Sequence, residues 1–198
     1  MENIVTELIC TRLSHDIVGN IGAVSNAVEL LEEGDMDFIE DIKSILKASS
    51  QTLASRLKFF RMVFGLSNAN LEDAAVVEKT AKDYLLTIGN KDFPVNLEFN
   101  IGTKSLRKQA LLMVMIMADA LIRGGKLEVF EKDGKVISRI EATAKVSADK
   151  LEKIHNILVD ENTLADAGMA PLFALIEWVG RSHINLRADQ DFIMLTTE

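Results

Sequence analysis

The chain has 198 residues, 48% of them hydrophobic and 26% charged, with a formal net charge of −8. That length suits one domain or two small ones with a real core, and the acidity excludes the basic footprint of a nucleic-acid binder and argues against anionic membrane surfaces. Cys10 is the only cysteine, so no disulfide forms within one chain and a reducing, cytoplasmic compartment is expected.

No membrane span is expected either. The longest apolar run, residues 110–122, is too short for a bilayer and contains Asp119. The residues after Met1 lack the basic-then-apolar pattern of a secretory leader.

Residues 2–33 predict a helix. Cys10, Leu13, Ile17, Ile21, Val24, Val28 and Leu31 form its stripe, and Gly34-Asp35 stops it. Residues 36–65 predict a second helix, with a stripe of Ile42, Ile45, Leu46, Leu53, Leu57, Phe60 and Phe64 and an end at Gly65. A tight turn makes the two an antiparallel hairpin. A lone hairpin leaves an apolar face bare, so two copies are expected to pair as a homodimeric four-helix bundle. Residues 66–71 read as a hinge.

Beyond the hinge the texture changes. Residues 72–88 predict a helix, 94–100 a strand, and 105–123 a strongly apolar helix ended by Gly124-Gly125. Residues 126–131 and 135–146 alternate as strands about a Lys132-Asp133-Gly134 turn. Residues 149–159 and 169–179 predict helices, the second with Pro171 near its first turn. Residues 183–187 and 191–196 predict a last hairpin. The order gives an α+β sandwich with helices on one face of a mixed sheet. No internal repeat or low-complexity segment stands out.

His15 is the residue with the most chemistry. It lies mid-way along the first helix, with Arg12 one turn back, Asp16 beside it, and Gly19 and Gly22 one and two turns on. Imidazole is a good nucleophile at neutral pH and can carry a phosphoryl group covalently. Phosphoryl transfer then needs little beyond in-line positioning and charge stabilisation. Arg12 matches the geometry of phosphoryl oxygens, and Asp16 is a candidate to orient the ring. Leu8, Thr11, Val18, Gly19 and Gly22 share the His15 face and are candidate partner contacts. Glycine inside a helix costs about 1 kcal/mol against alanine, so two on one face point to close approach of a partner backbone. The other reading of these residue types is a polar side chain on a solvated face, with glycines that let helices pack. No second His or Cys stands at metal-ligand spacing. His155, His183 and Cys10 read as structural. Arg56, Lys58 and Arg61 read either as a solvated face or as a contact for an acidic partner.

Two strings carry a family likeness. Residues 7–16, Glu-Leu-Ile-Cys-Thr-Arg-Leu-Ser-His-Asp, with residues 21–31, Ile-Gly-Ala-Val-Ser-Asn-Ala-Val-Glu-Leu-Leu, resemble the ChpT-type histidine phosphotransferases. Residues 56–65, Arg-Leu-Lys-Phe-Phe-Arg-Met-Val-Phe-Gly, resemble the end of that family's second helix. The likeness is good over the first 65 residues; the remainder agrees in length and element order.

The resemblance implies a hairpin domain for dimerisation and histidine phosphotransfer at residues 1–68. A degenerate domain shaped like a histidine-kinase ATPase domain would follow at residues 69–198. It implies that His15 accepts a phosphoryl group from the receiver domain of a hybrid histidine kinase and donates it to response regulators. Receiver contacts would fall near His15 and partly on the second domain. No cofactor is implied for the chain itself, since Mg²⁺ would sit in the receiver partner.

The chain departs from the kinase pattern in several places. Gly19 and Asn20 stand where that pattern has a polar residue and a proline, which predicts a straighter helix. Asp119 stands where an Mg²⁺-holding asparagine is expected, and Met115 where an acidic residue is expected. Residues 166–170, Asp-Ala-Gly-Met-Ala, are at best a remnant of a glycine box. The second domain is therefore expected not to bind ATP. Two rivals remain at this point: an ATP-dependent sensor histidine kinase, and a non-catalytic dimeric adaptor that binds receivers.

Overall fold

The structure, a computed structural model, describes residues 2–34, 38–66, 69–88 and 92–198, with the side chains of Glu2 and Asn3 left aside. Two long helices, α1 (Glu2–Glu32) and α2 (Ile39–Phe64), form the expected antiparallel hairpin. Gly34 follows α1 at φ +74°, a left-handed value that favours glycine. Asp35, read as part of that stop, lies outside the described residues. Gly65 ends α2 in extended backbone, its N–H donating to the Arg61 carbonyl. A Cβ there would collide with that same carbonyl, so glycine is needed for space and not for handedness.

The stripe on α1 divides. Leu13 and Ile17 pack against the main core, and Val5 and Ala27 are buried on the hairpin's inner side. Ile21 and Val28 remain 51% and 42% exposed, and on α2 Ile45 and Leu57 do likewise at 42% and 48%. One partner helix covers only part of so broad a stripe.

Of the predicted hinge, Ser67 and Asn68 lie outside the described residues. Ala69–Leu71 forms a short 3₁₀ turn that buries Leu71. The α/β layer then runs α3 (Ala74–Ile88), β1 (Val95–Asn100), α4 (Arg107–Ala120), β2 (Gly125–Lys132), β3 (Lys135–Glu141), α5 (Ala148–Val159), α6 (Ala170–Val179), β4 (Ile184–Ala188) and β5 (Phe192–Thr197). Sheet order is β1-β2-β3-β5-β4. β1 pairs parallel to β2, and every other pair is antiparallel. The fold is thus a helical hairpin followed by an α/β sandwich.

Local chemistry sets the ends. Asp73 caps α3, its Oδ1 accepting from the N–H groups of Ala75 and Val76 at 2.8 and 3.3 Å. Ser147 caps α5. Asp133 and Gly134 both have positive φ, 51° and 75°, as a two-residue type I′ hairpin turn requires. Two elements are shorter than their patterns suggest. α4 stops at Ala120 and not at Arg123 because Leu121 turns extended and bridges Val146. β3 stops at Glu141 because residues 142–146 fold back to make that bridge. Gly124 and Gly125 take φ +62° and +133°, and a Cβ on Gly124 would strike the Phe93 and Pro94 carbonyls.

α4 is apolar all round because it is covered all round, from Ala110 to Ala118. Leu127, Val129, Val136, Ile140, Ile193 and Leu195 meet it from the sheet's inner face. The lower end of α2 joins the same core. Phe59, Phe60, Met62 and Val63 are buried with the sandwich residues, and Phe59 stacks on Tyr84 of α3, ring centroids 4.0 Å apart and planes 8° off parallel. Among the described residues no helix is long and apolar enough to cross a membrane.

Candidate functional site

α1 presents His15 outward, its side chain 88% exposed. Beside it lies a cavity of about 410 Å³. Thr11, Arg12, His15 and Asp16 line one side, and Ala167 and Gly168, just before α6, line the other. The imidazole is therefore neither sealed in the bundle nor alone on a bare face.

The polar neighbours on α1 are occupied. Arg12 donates from Nε to Asp16 Oδ2 at 2.8 Å, from Nη1 to Asp119 Oδ2 at 2.9 Å, and from Nη2 to Asp119 Oδ1 at 3.2 Å. Nη1 also reaches the Gly168 carbonyl at 3.5 Å. Arg12 and Asp119 are each only 14% exposed and Asp16 15%. Burial alone would lower the Arg12 pKa, but Asp119 and then Asp16 overturn that and hold it above the ordinary arginine value. Two-point contact with one carboxylate is the arrangement for which guanidinium is best shaped. Arg12, expected from sequence to face phosphoryl oxygens, is instead committed to carboxylates of its own chain.

Asp16 is held twice. Its carboxylate accepts from Arg12, and its main-chain carbonyl accepts from Asn20 Nδ2 at 3.3 Å and from Arg56 Nη1. Arg56 also donates to Thr87 Oγ1 at 3.2 Å and Thr87 O at 2.9 Å at the end of α3. His15 Nδ1 lies 4.0 Å from Asp16 Oδ1, outside hydrogen-bond range but close enough for charge to act. Adjacent residues on a helix diverge, which explains the gap.

The expected partner contacts sit around this centre. Thr11 lines the cavity. Val18 is 62% exposed. Leu8 is half-buried, and Gly19 and Gly22 are exposed. A Cβ built on either glycine meets nothing within 4 Å, so among the described residues no helix packs on them. Lys58 and Arg61 are exposed and line a separate groove of about 530 Å³ with Leu57 and Val76. Their neighbour Arg56 is structural. His155 and His183 are exposed and do not line the cavity. Cys10, read as core, is exposed.

Sequence reasoning missed Asp119, Ala167, Gly168 and Thr87 as neighbours of the site. Asp119 and Gly168 drew notice only as unsuited to hold a nucleotide. The signal available was a charged residue ending an otherwise unbroken apolar helix, since such a residue is buried only with a partner.

No family model matches the chain. Over 199 aligned residues it is 27% identical to the protein phosphotransferase ChpT of Brucella abortus (strain 2308), covering 96% of this chain and 93% of that protein. The chain is similar to ChpT along nearly its whole length. A solved structure of a bacterial phosphotransferase superposes with a TM-score of 0.74 at 26% identity, covering 98% of this chain and 95% of that one. The likeness therefore extends through hairpin and sandwich alike, well past the strings around His15 and residues 56–65. The histidine kinase AdeS of Acinetobacter baumannii aligns at a TM-score of 0.41 and 13% identity, covering 93% of this chain and 97% of that one, too distantly to bear on function.

Proposed function

We propose that the chain is a histidine phosphotransferase of a two-component phosphorelay, with His15 as the group that carries phosphate. One observation carries the reading: an 88% exposed imidazole on a helix whose neighbouring polar groups are tied down, in a chain that resembles ChpT from end to end. Such a ring is free to meet a partner while its helix is tied to the rest of the fold.

With Nδ1 protonated and turned to Asp16, Nε2 keeps its lone pair and faces outward. Nε2 attacks the phosphorus of an aspartyl phosphate on the receiver domain of a hybrid kinase. The N–P bond forms as the P–O bond to the aspartyl carboxylate breaks, and that carboxylate leaves with the electron pair. The ring then carries positive charge, which Asp16 at 4.0 Å offsets. In the second half-reaction a response regulator's aspartate oxygen attacks phosphorus and Nε2 leaves. Asp16 acts through charge, and Arg12 acts by positioning α1. Leu8, Thr11, Val18, Gly19 and Gly22 receive the partner. Mg²⁺ belongs to the receiver, where phosphate is made and lost.

The ATP-dependent kinase reading is disfavoured by Asp119, which stands where an Mg²⁺-holding asparagine is expected and is already bound by Arg12 through both terminal nitrogens. The sandwich, residues 69–198, is on this view a relic of an ATPase-like domain, and residues 1–68 are the transfer module. The apolar residues left bare on the hairpin support a homodimer, and the lone cysteine and acidic charge support a cytoplasmic setting. The non-catalytic adaptor reading is disfavoured by the phosphotransferase likeness itself.

The test is to offer this protein every receiver domain of its organism in phosphorylated form. The expected result is an acid-labile, alkali-stable label on wild type and none on His15→Ala. Label on the variant, or none on wild type from any receiver, overturns the proposal.

A further inference from the structure

The His15 cavity has walls from two parts of the fold, and one side chain ties them. Thr11, Arg12, His15 and Asp16 come from α1, whereas Ala167 and Gly168 come from the turn before α6. Arg12 reaches across to Asp119 on α4 through both terminal nitrogens and to the Gly168 carbonyl. The turn is braced from its own side, since Asp166 Oδ1 accepts from Gly168 N at 2.7 Å and Lys153 Nζ lies 3.5 Å from Asp166 Oδ2. On the opposite flank of α1, Arg56 ties the Asp16 carbonyl to Thr87. The helix is thus pinned from α4 on one side and from α2 and α3 on the other, in the one stretch that holds His15.

Resting on the phosphoacceptor reading above, we infer that Asp119 is a positioning residue for phosphotransfer: through Arg12 it sets the width of the cleft between His15 and the Ala167–Gly168 wall, and so the seat a receiver domain must fit. Phosphoryl transfer depends on in-line placement far more than on chemistry supplied by side chains. A fixed wall beside the nucleophile contributes to that placement only when the phosphate arrives on a bulky partner. A small phosphodonor needs no such wall. The clamp therefore acts on the encounter with protein and leaves the reactivity of the ring unchanged.

The experiment compares two donors on the full-length protein. One is a phosphorylated receiver domain shown to label wild type. The other is phosphoramidate, a small donor that reaches an exposed imidazole without docking. Asp119→Ala is expected to raise KM for the receiver about tenfold with kcat changed by less than about twofold, and to leave phosphoramidate labelling within about twofold. Asp119→Glu, which keeps the charge, is expected to recover most of the receiver KM. A purely structural role would lower the melting temperature and leave KM of the folded fraction unmoved, and that result overturns the inference. So does equal loss with both donors. Should Asp119→Ala fail to fold, Asp119→Asn is measured the same way, with the same outcomes deciding. Absence of label on wild type from both donors would instead defeat the phosphoacceptor reading, so the two failures are distinct.

Discussion

Tyr84 lies flat against Phe59, 4.0 Å between centroids, yet its hydroxyl finds no hydrogen-bond partner among the described residues. Burial pushes the phenol pKa well above its ordinary value, and Asp119 adds to the rise. A buried donor without a partner costs roughly 1–3 kcal/mol. Tyr84→Phe should therefore match or exceed wild type in stability, by up to about 1 kcal/mol, while Tyr84→Ala should lose about 3–5 kcal/mol. Chemical denaturation decides; a Tyr84→Phe protein weakened by more than about 1 kcal/mol would show that the hydroxyl is satisfied.

Gly19 and Gly22 are helical, exposed and free of neighbours. Alanine at either should stabilise the protein by about 0.5–1 kcal/mol. If the same surface receives a partner backbone, both substitutions should also slow transfer from a receiver. Stability rising with transfer untouched would remove the glycines from the docking surface.

Ile21 and Val28 are the apolar positions on which a second hairpin should sit. Wild type is expected to sediment as two copies, and Ile21→Asp as one. A monomeric wild type would end the bundle proposal and leave that face to some other partner.

On the outer face of the sheet, Glu128 accepts from Arg139 and lies 3.0 Å from Lys126. The Arg139 contact, then Lys126, hold its pKa at about 2 against an ordinary 4.5. The folded state thus binds that proton less readily than the unfolded chain. The stability it contributes is complete above about pH 4.5 and disappears as pH falls toward 2. Because the group is near solvent, screening limits it to about 1 kcal/mol. Wild type should lose more melting temperature than Glu128→Gln across that window. Parallel losses would show that the pair contributes nothing.

Much of this was legible in the residues. Periodicity placed the α-helices and strands because most of them bury one face and repeat accordingly; α4, buried on every side, was legible by its long apolar run. Ends were read less well where tertiary pairing intervened, as at Leu121 and Val146. His15 was legible as a site because glycines and charges cluster around it on one strand of sequence. Its second wall was not. Asp119 lies 107 residues from Arg12, and no local pattern announces such a pair. Sequence alone therefore points Arg12 at phosphoryl oxygens, whereas both its terminal nitrogens are taken by Asp119.

Phe59, Phe60, Met62 and Val63 belong to the hairpin by sequence and to the sandwich by burial. Cutting the chain at residue 68 would strip those side chains of their cover, so the hairpin is a poor candidate for life as an excised fragment. Heat should melt the whole protein in one cooperative step. Selection on either half then falls on both, so a change that loosens the sandwich reaches the helix that holds His15.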